Sequence, residues 1–204
     1  MAIIKSGASS NQLTVDATSL AARATAYDSA GRELSFQVKQ TYSVGIPAFS
    51  PPATPTDLFT ITGSASKTIR VTAITVGTVQ TTAGINRIYL LKRSAANTGG
   101  TSAAPTIVPH DSSNAAATAT VLSYTVTGTP GALVGNLSIK NVNSSILATG
   151  INVSDTDMYP RTCEFELAQP ITLRGVAQVL CVNFNGAALP AGLSVVGSIT
   201  WTEE

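Results

Sequence analysis

Along most of this chain apolar and polar residues alternate with a period of two, the pattern of strands with one buried face. From 34 to 44 the even positions read Leu34, Phe36, Val38, Gln40, Tyr42 and Val44, while Ser35, Gln37, Lys39, Thr41 and Ser43 take odd ones, which predicts a half-buried strand. Just before it, Asp28-Ser29-Ala30-Gly31 has the residues of a tight turn, so segment 21–27 and this strand are expected to form a hairpin. At Ile69 and Val71 the apolar residues are odd; at Ile74 and Val76 they are even. A one-residue change of phase after Ala73 predicts a β-bulge, because slipping by one residue turns a side chain to the other face. Cys163, Phe165 and Leu167 alternate with Glu164 and Glu166, Gln169-Pro170 reads as a turn before Ile171 and Leu173, and Val195, Ile199 and Trp201 line one face of a last strand. Two runs, 85–91 and 179–184, are apolar on both faces, as expected of central strands or of strands at an interface.

The breaks between these runs set the organisation. Pro47, Pro51, Pro52 and Pro55 place four prolines in nine residues, and each lacks the amide a sheet ladder needs. The stretch 47–55 is therefore expected to be an extended connector between an N-terminal arm and hairpin, 1–46, and a main body, 56–204. Many short strands punctuated by Gly and Pro, with no long helical period, predict an all-β fold: a jelly-roll-like β-sandwich carrying an extended N-terminal arm. One connection, 94–117, is unusually long. Loops of that length either carry a contact surface or are crossovers tied down by Asx and Ser turns, and both readings stay open.

Composition changes the picture in one respect. Only 11% of residues are charged, 12 Lys and Arg and 11 Asp and Glu, against about 25% in an ordinary domain. A compact chain of this mass exposes roughly 9,000 Å², so each charge would serve roughly 390 Å². Such a surface self-associates unless a partner covers part of it. The net charge is +1 and the basic residues are scattered, Lys92-Arg93 being the one close pair, which argues against a nucleic-acid partner. No apolar stretch approaches the roughly 20 residues of a membrane helix, and the N-terminus lacks a secretory pattern, so synthesis in the cytoplasm and no membrane partner are expected.

Candidate chemistry is thin. His110 is the sole histidine, and Asp111 beside it would point to the opposite face of a strand. No G-x-S-x-G elbow is present. Cys163 and Cys181 are too few for a zinc site and are expected as small buried groups, a disulfide being the alternative. Glu164 and Glu166 share a strand face at glycosidase-like spacing, but a solvated polar face is the ordinary role of such a pair. Asp155 and Asp157 lack the rest of a calcium loop. The expectation is a non-enzymatic protein with no metal, cofactor or catalytic residue.

Two phrases carry a family resemblance. The opening Ile3-Ile4-Lys5-Ser6-Gly7-Ala8, with Leu13-Thr14-Val15-Asp16 and Ala21-Ala22-Arg23, resembles the start of many tailed-bacteriophage virion proteins. The block Leu91-Lys92-Arg93-Ser94-Ala95-Ala96-Asn97-Thr98-Gly99-Gly100-Thr101, continuing to Pro109-His110-Asp111-Ser112, is similar to a recurrent block of the same group; together they cover about a third of the chain. The group resembled comprises capsid decoration (cement) proteins and small head or tail fibres. The resemblance implies a protein made in the host cytoplasm and assembled on the virion, a homotrimer bound to the major capsid protein, which stabilises the closed shell by burying surface between its subunits. Residues expected at the interface are Ile3, Ile4, Leu13 and Val15 of the arm, then Tyr42, Phe49, Asn97, His110 and Asp111. The alternative is a tail-fibre or adsorption protein that recognises a host surface glycan.

Overall fold

The computed structural model describes residues 14–15, 22–23, 26–27, 33–34, 39–53, 55–82, 84–144 and 161–204. The chain falls into two compact units, Met1–Val38 and Lys39–Glu204. In the first, β1 (Thr14–Val15) pairs antiparallel with β2 (Ala22–Arg23), and β3 (Ala26–Tyr27) with β4 (Glu33–Leu34). The second ladder is the hairpin expected across 28–31.

The second unit holds eleven described strands. They are β5 (Gln40–Phe49), β6 (Asp57–Thr62), β7 (Thr68–Val79), β8 (Gly84–Arg93), β9 (Thr101–Ala103), β10 (Ile107–Pro109), β11 (Thr120–Val126), β12 (Leu133–Ser144), β13 (Arg161–Arg174), β14 (Val179–Asn183) and β15 (Ser194–Glu203). They form two antiparallel sheets, in the orders β10-β5-β15-β7-β13 and β12-β8-β14-β6-β11-β9. The chain is thus an all-β sandwich, with no helix among the described residues. Its core lies between the sheets, where Tyr42, Phe59, Ile74, Leu90, Leu180 and Trp201 are all buried in one cluster. Tyr42 and Trp201 stack with centroids 5.9 Å apart, an offset arrangement that adds to their large apolar burial.

Four pairings explain the layout. β5 pairs with β15, β6 with β14, β7 with β13 and β8 with β12. The early strands therefore pair with the late ones in reverse order, as if one long hairpin had been folded over on itself. β9, β10 and β11 interrupt that hairpin near its tip, between β8 and β12.

The bulge expected at Ala73 is present: against β15, Ala73 pairs with Thr200 but Val71 with Trp201, so one residue of β7 is skipped. Ile69, Val71, Ile74 and Val76 all reach the core as a result. The expected central strands hold too. β8 is flanked by β12 and β14, and β14 by β8 and β6.

Three boundaries differ from expectation. The compact unit begins at Lys39, not after 46, because β5 lies inside the five-stranded sheet with Tyr42, Val44 and Ile46 buried. Residues 40–46 are body, not arm, and Pro47 is within β5 instead of opening a connector. Proline is tolerated there because the ladder shifts: Phe49 faces Val195 while Ile46 faces Gly197, which leaves Pro47 and Ala48 in a bulge, and β10 pairs only with Tyr42 to Val44. Likewise Gln169-Pro170 is no turn between strands. It lies in an irregularity of one continuous β13, between the pairs Glu166↔Ala73 and Ile171↔Val71.

Candidate interaction surfaces

The long connection 94–117 is not structureless. β9 extends the six-stranded sheet beside β11, and β10 extends the five-stranded sheet beside β5. One excursion between β8 and β12 thus supplies edge strands to both layers. Its two ends are zipped together. Thr98 and Thr129 exchange backbone hydrogen bonds of 3.0 and 2.8 Å, and Ser94 N donates to Ala132 O at 3.0 Å. Glycine makes the approach feasible: a Cβ on Gly131 would stand 2.0 Å from Ala95 O, and one on Gly100, whose φ is +75°, 2.5 Å from Val126 O.

A buried polar knot anchors the same place. Asp57, at the start of β6, is 2% exposed, and its two oxygens accept from Arg93 Nε (2.7 Å) and Nη2 (2.8 Å). Asn97 Nδ2 donates to Oδ2 at 2.8 Å and Asn183 Nδ2 to Oδ1 at 2.6 Å. Arg93 Nη1 donates to Gly131 O at 2.8 Å, and Gly131 N to Asn97 Oδ1 at 3.2 Å. Burial works against the Arg93 charge, yet the Asp57 carboxylate outweighs it and holds the guanidinium more firmly protonated than usual. Three strand ends, those of β6, β8 and β14, and both arms of the excursion meet here. A buried pair with this bidentate geometry and its lone pairs satisfied fixes one arrangement of the chain. Burial, then the Asp57 charge, pushes the neighbouring Cys181 thiol far above its ordinary value, so it is an inert packing group and not a nucleophile. Cys181 is a free thiol, and it lies on β14 of one sheet while Cys163 lies on β13 of the other.

A second buried acid pins the far end of the excursion. Glu203, 3% exposed on β15, accepts from the Thr118 amide (3.0 Å) and hydroxyl (2.7 Å), the Ala119 amide (3.1 Å) and Trp201 Nε1 (3.1 Å). Lys67 Nζ stands 3.9 Å from its Oε2. Burial alone would raise its pKa; the donors from Thr118, Trp201 and Ala119 outweigh burial and hold it below the usual carboxylate range.

The residues expected at an interface scatter. Ile3, Ile4 and Leu13 lie outside the described residues, and Val15 is described only as a β1 backbone position paired with Ala22. Tyr42 corrects the expectation: it is fully buried, stacked on Trp201, with its hydroxyl donating to Ala115 O at 2.9 Å. Its even position on β5 faces the core, so it is unable to serve a surface. Phe49 is half-buried against the core. Asn97 belongs to the knot and is likewise a structural group. His110 is exposed; its Nε2 lies 2.7 Å from Ser43 Oγ, which lies 2.8 Å from Thr200 Oγ1. Its amide donates to Thr41 O at 2.8 Å, tying the end of β10 to β5. Asp111 turns away from it and accepts from the Ser113 hydroxyl (2.7 Å) and amide (2.9 Å), an Asx turn that lowers its pKa. Glu164 is exposed, as expected of a solvated face. The Glu166 side chain, and Asp155 and Asp157, lie outside the described residues. Asp57, Glu203 and Asn183 escaped the reading of the sequence because an isolated acid or amide beside an apolar run carries no sign of its partner.

Of the exposed large apolar side chains among the described residues, half lie on edge strand β12 and its neighbour β8; Val79, Val108, Val126, Val176 and Val196 are exposed singly elsewhere. Leu133, Val134, Leu137 and Ile139 are between 48% and 64% exposed, and Ile85 is 68% exposed. On the same outer face Tyr89 packs against Leu91, Val179 and Cys181. Beside it a cleft of about 430 Å³ is lined by Ile85, Arg87, Tyr89, Asn141, Phe184 and Asn185. Among the described residues no group of three or more His, Cys, Asp or Glu side chains is placed to hold a metal ion, and no helix is long and apolar enough to cross a membrane. No family model, curated protein or solved structure matches the chain.

Proposed function

We propose that the chain is a bacteriophage capsid decoration protein, a passive cement that binds the assembled shell and stabilises it by mass action. The observation that carries this reading is the exposed apolar strip Leu133, Val134 and Leu137 on an edge strand whose one charged residue is Lys140. Lys140 does not guard the strip. It folds back to the Glu164 carbonyl and over the Phe165 ring, 5.3 Å from its centroid. A long, apolar, unguarded edge calls for a covering partner.

In this reading the body is a jelly roll. The reversed pairing β5–β15, β6–β14, β7–β13 and β8–β12 supports that assignment, since rolling up one long antiparallel ribbon generates this order. Three copies would meet through the β12 strips above a junction of major capsid protein subunits. The N-terminal unit, with Ile3, Ile4, Leu13 and Val15, would reach the shell. The test is binding of the purified chain to undecorated particles, beside a variant lacking residues 1–38 and a Leu133→Ser/Leu137→Ser variant. Saturable occupancy in hundreds of copies, lost in the deletion, is expected. Occupancy untouched by the deletion removes the arm from the mechanism. A chain that stays monomeric and binds no shell ends the proposal.

A further inference from the structure

We infer that the cleft between β8, β12 and the 184–187 turn is a saccharide-binding site. Its lining alternates two chemistries. Ile85 and Tyr89 give an apolar side against which the C–H face of a sugar ring can lie. Arg87, Asn141 and Asn185 give donors and acceptors for the hydroxyl rim. No acid is among the lining residues, and the one cation, Arg87, already donates from Nε to Asn141 Oδ1 at 3.2 Å. That contact orients the fork of the guanidinium and the Asn141 amide nitrogen together. A single oriented cation with two amides suits vicinal hydroxyls better than a phosphate, which would call for more positive charge. At about 430 Å³ the cleft is at the small end of ligand sites and matches one or two sugar rings.

Both walls are rigid before any ligand arrives. Arg87 and Asn141 are register partners across β8 and β12, and Tyr89 is seated on Leu91, Val179 and Cys181. The opposite wall is laced to the chain before β6 by Phe184 N to Thr56 O (3.0 Å), Gly186 N to Pro55 O (2.9 Å) and Leu189 N to Ala53 O (3.2 Å). Asn185 is held in the left-handed region at φ 57°, with its amide donating to Asn183 Oδ1, and Asn183 is itself locked to Asp57. These backbone constraints fix the path of the turn at the mouth of the cleft, from which the Asn185 side chain projects. The polar knot, inert in itself, thereby supports the binding wall. This inference stands apart from shell binding, because it is read on the isolated chain.

Saturation-transfer and amide-shift NMR on the full chain test it, with the methyl glycosides of glucose, galactose, N-acetylglucosamine and glucuronic acid, and inorganic phosphate beside them. At least one glycoside is expected to bind with Kd on the order of 1–10 mM, typical of a single ring with few contacts. Its shifts should fall on 85–89, 139–141 and 184–187. Arg87→Ala should weaken binding at least tenfold. Because Arg87 is exposed, this variant keeps the fold, and it decides the matter even if Tyr89→Ala unfolds. No transfer to any of the four glycosides, shifts confined to other strands, binding unchanged in Arg87→Ala, or a response to phosphate alone would each overturn the assignment.

Discussion

Two buried carboxylates decide more at the scale of single residues than any exposed one. Asp57 and Glu203 break the rule that acids stay in water, and each is compensated by convergent donors, four for Asp57 and the Thr118, Ala119 and Trp201 groups for Glu203. Glu203 carries a pH signature. Its folded pKa lies below the ordinary carboxylate value of 4.5, so its contribution is fully present above that value. As pH falls from there through the folded pKa, the unfolded chain takes up the proton first and the contribution is lost. Glu203→Gln is expected to cost about 1–3 kcal/mol at neutral pH, since one acceptor oxygen becomes an amide. Thermal unfolding of both proteins from about pH 6 to about pH 3 should show the gap closing with acid. Taking the difference removes the contribution of Glu204, which Lys39 and Arg70 also hold low. A gap that is constant or widens with acid would show that the donors do not hold the ionised form. Neither acid was legible as a buried group, because all the donors to Asp57, and the Thr118 and Ala119 donors to Glu203, come from residues 36 to 126 positions away in sequence.

Bulges and zipped ends do the corresponding work at the scale of elements. The phase change at Ala73 was readable, since a strand that must keep one face buried leaves a record of every skipped residue in its apolar pattern. Pro47 and Pro170 were not. A proline reports only a missing donor, and whether that ends a strand or merely bulges it depends on the partner strand. The excursion between β8 and β12 shows the same limit. Its β9 and β10, each three residues, are too short to display a period and exist because β11 and β5 offer them unpaired edges. Gly131 is the test of that zipper. Its missing Cβ would meet backbone, not a movable side chain, 2.0 Å away at Ala95 O. Gly131→Ala should lower stability by about 1–3 kcal/mol, seen as a reduced urea midpoint with an unchanged slope. A midpoint equal to wild type would mean that the outgoing strand yields freely.

The nested pairing of early with late strands makes the body a closed unit at the scale of the whole molecule. Both sheets draw every described strand from residues 40–203, and the compact unit begins at Lys39. A fragment of residues 39–204 is therefore expected to unfold cooperatively within a few degrees of the full chain. Calorimetry of the two checks this; loss of a cooperative transition in the fragment would show that the sheets depend on the first 38 residues. The low charge content acquires a location at this scale. Charges are absent from Leu133, Val134, Gly135, Asn136, Leu137, Ser138 and Ile139, so four of the exposed apolar side chains share one uncharged segment, while Val79, Val108, Val126, Val176 and Val196 are exposed singly elsewhere.

By itself the sequence determined the fold class, the phase of most strands, the bulge at Ala73 and the burial of Trp201, because these follow from local alternation between apolar and polar positions. Tertiary structure alone decided that Asn97 is a clasp, that β5 belongs to the body, and that Arg87, Tyr89, Asn141 and Asn185 line one cleft. The reason is common to all of these. A residue's face is set by its own strand, but its neighbours are set by which distant strand lies alongside, and that register is written only in the sum of all the pairings.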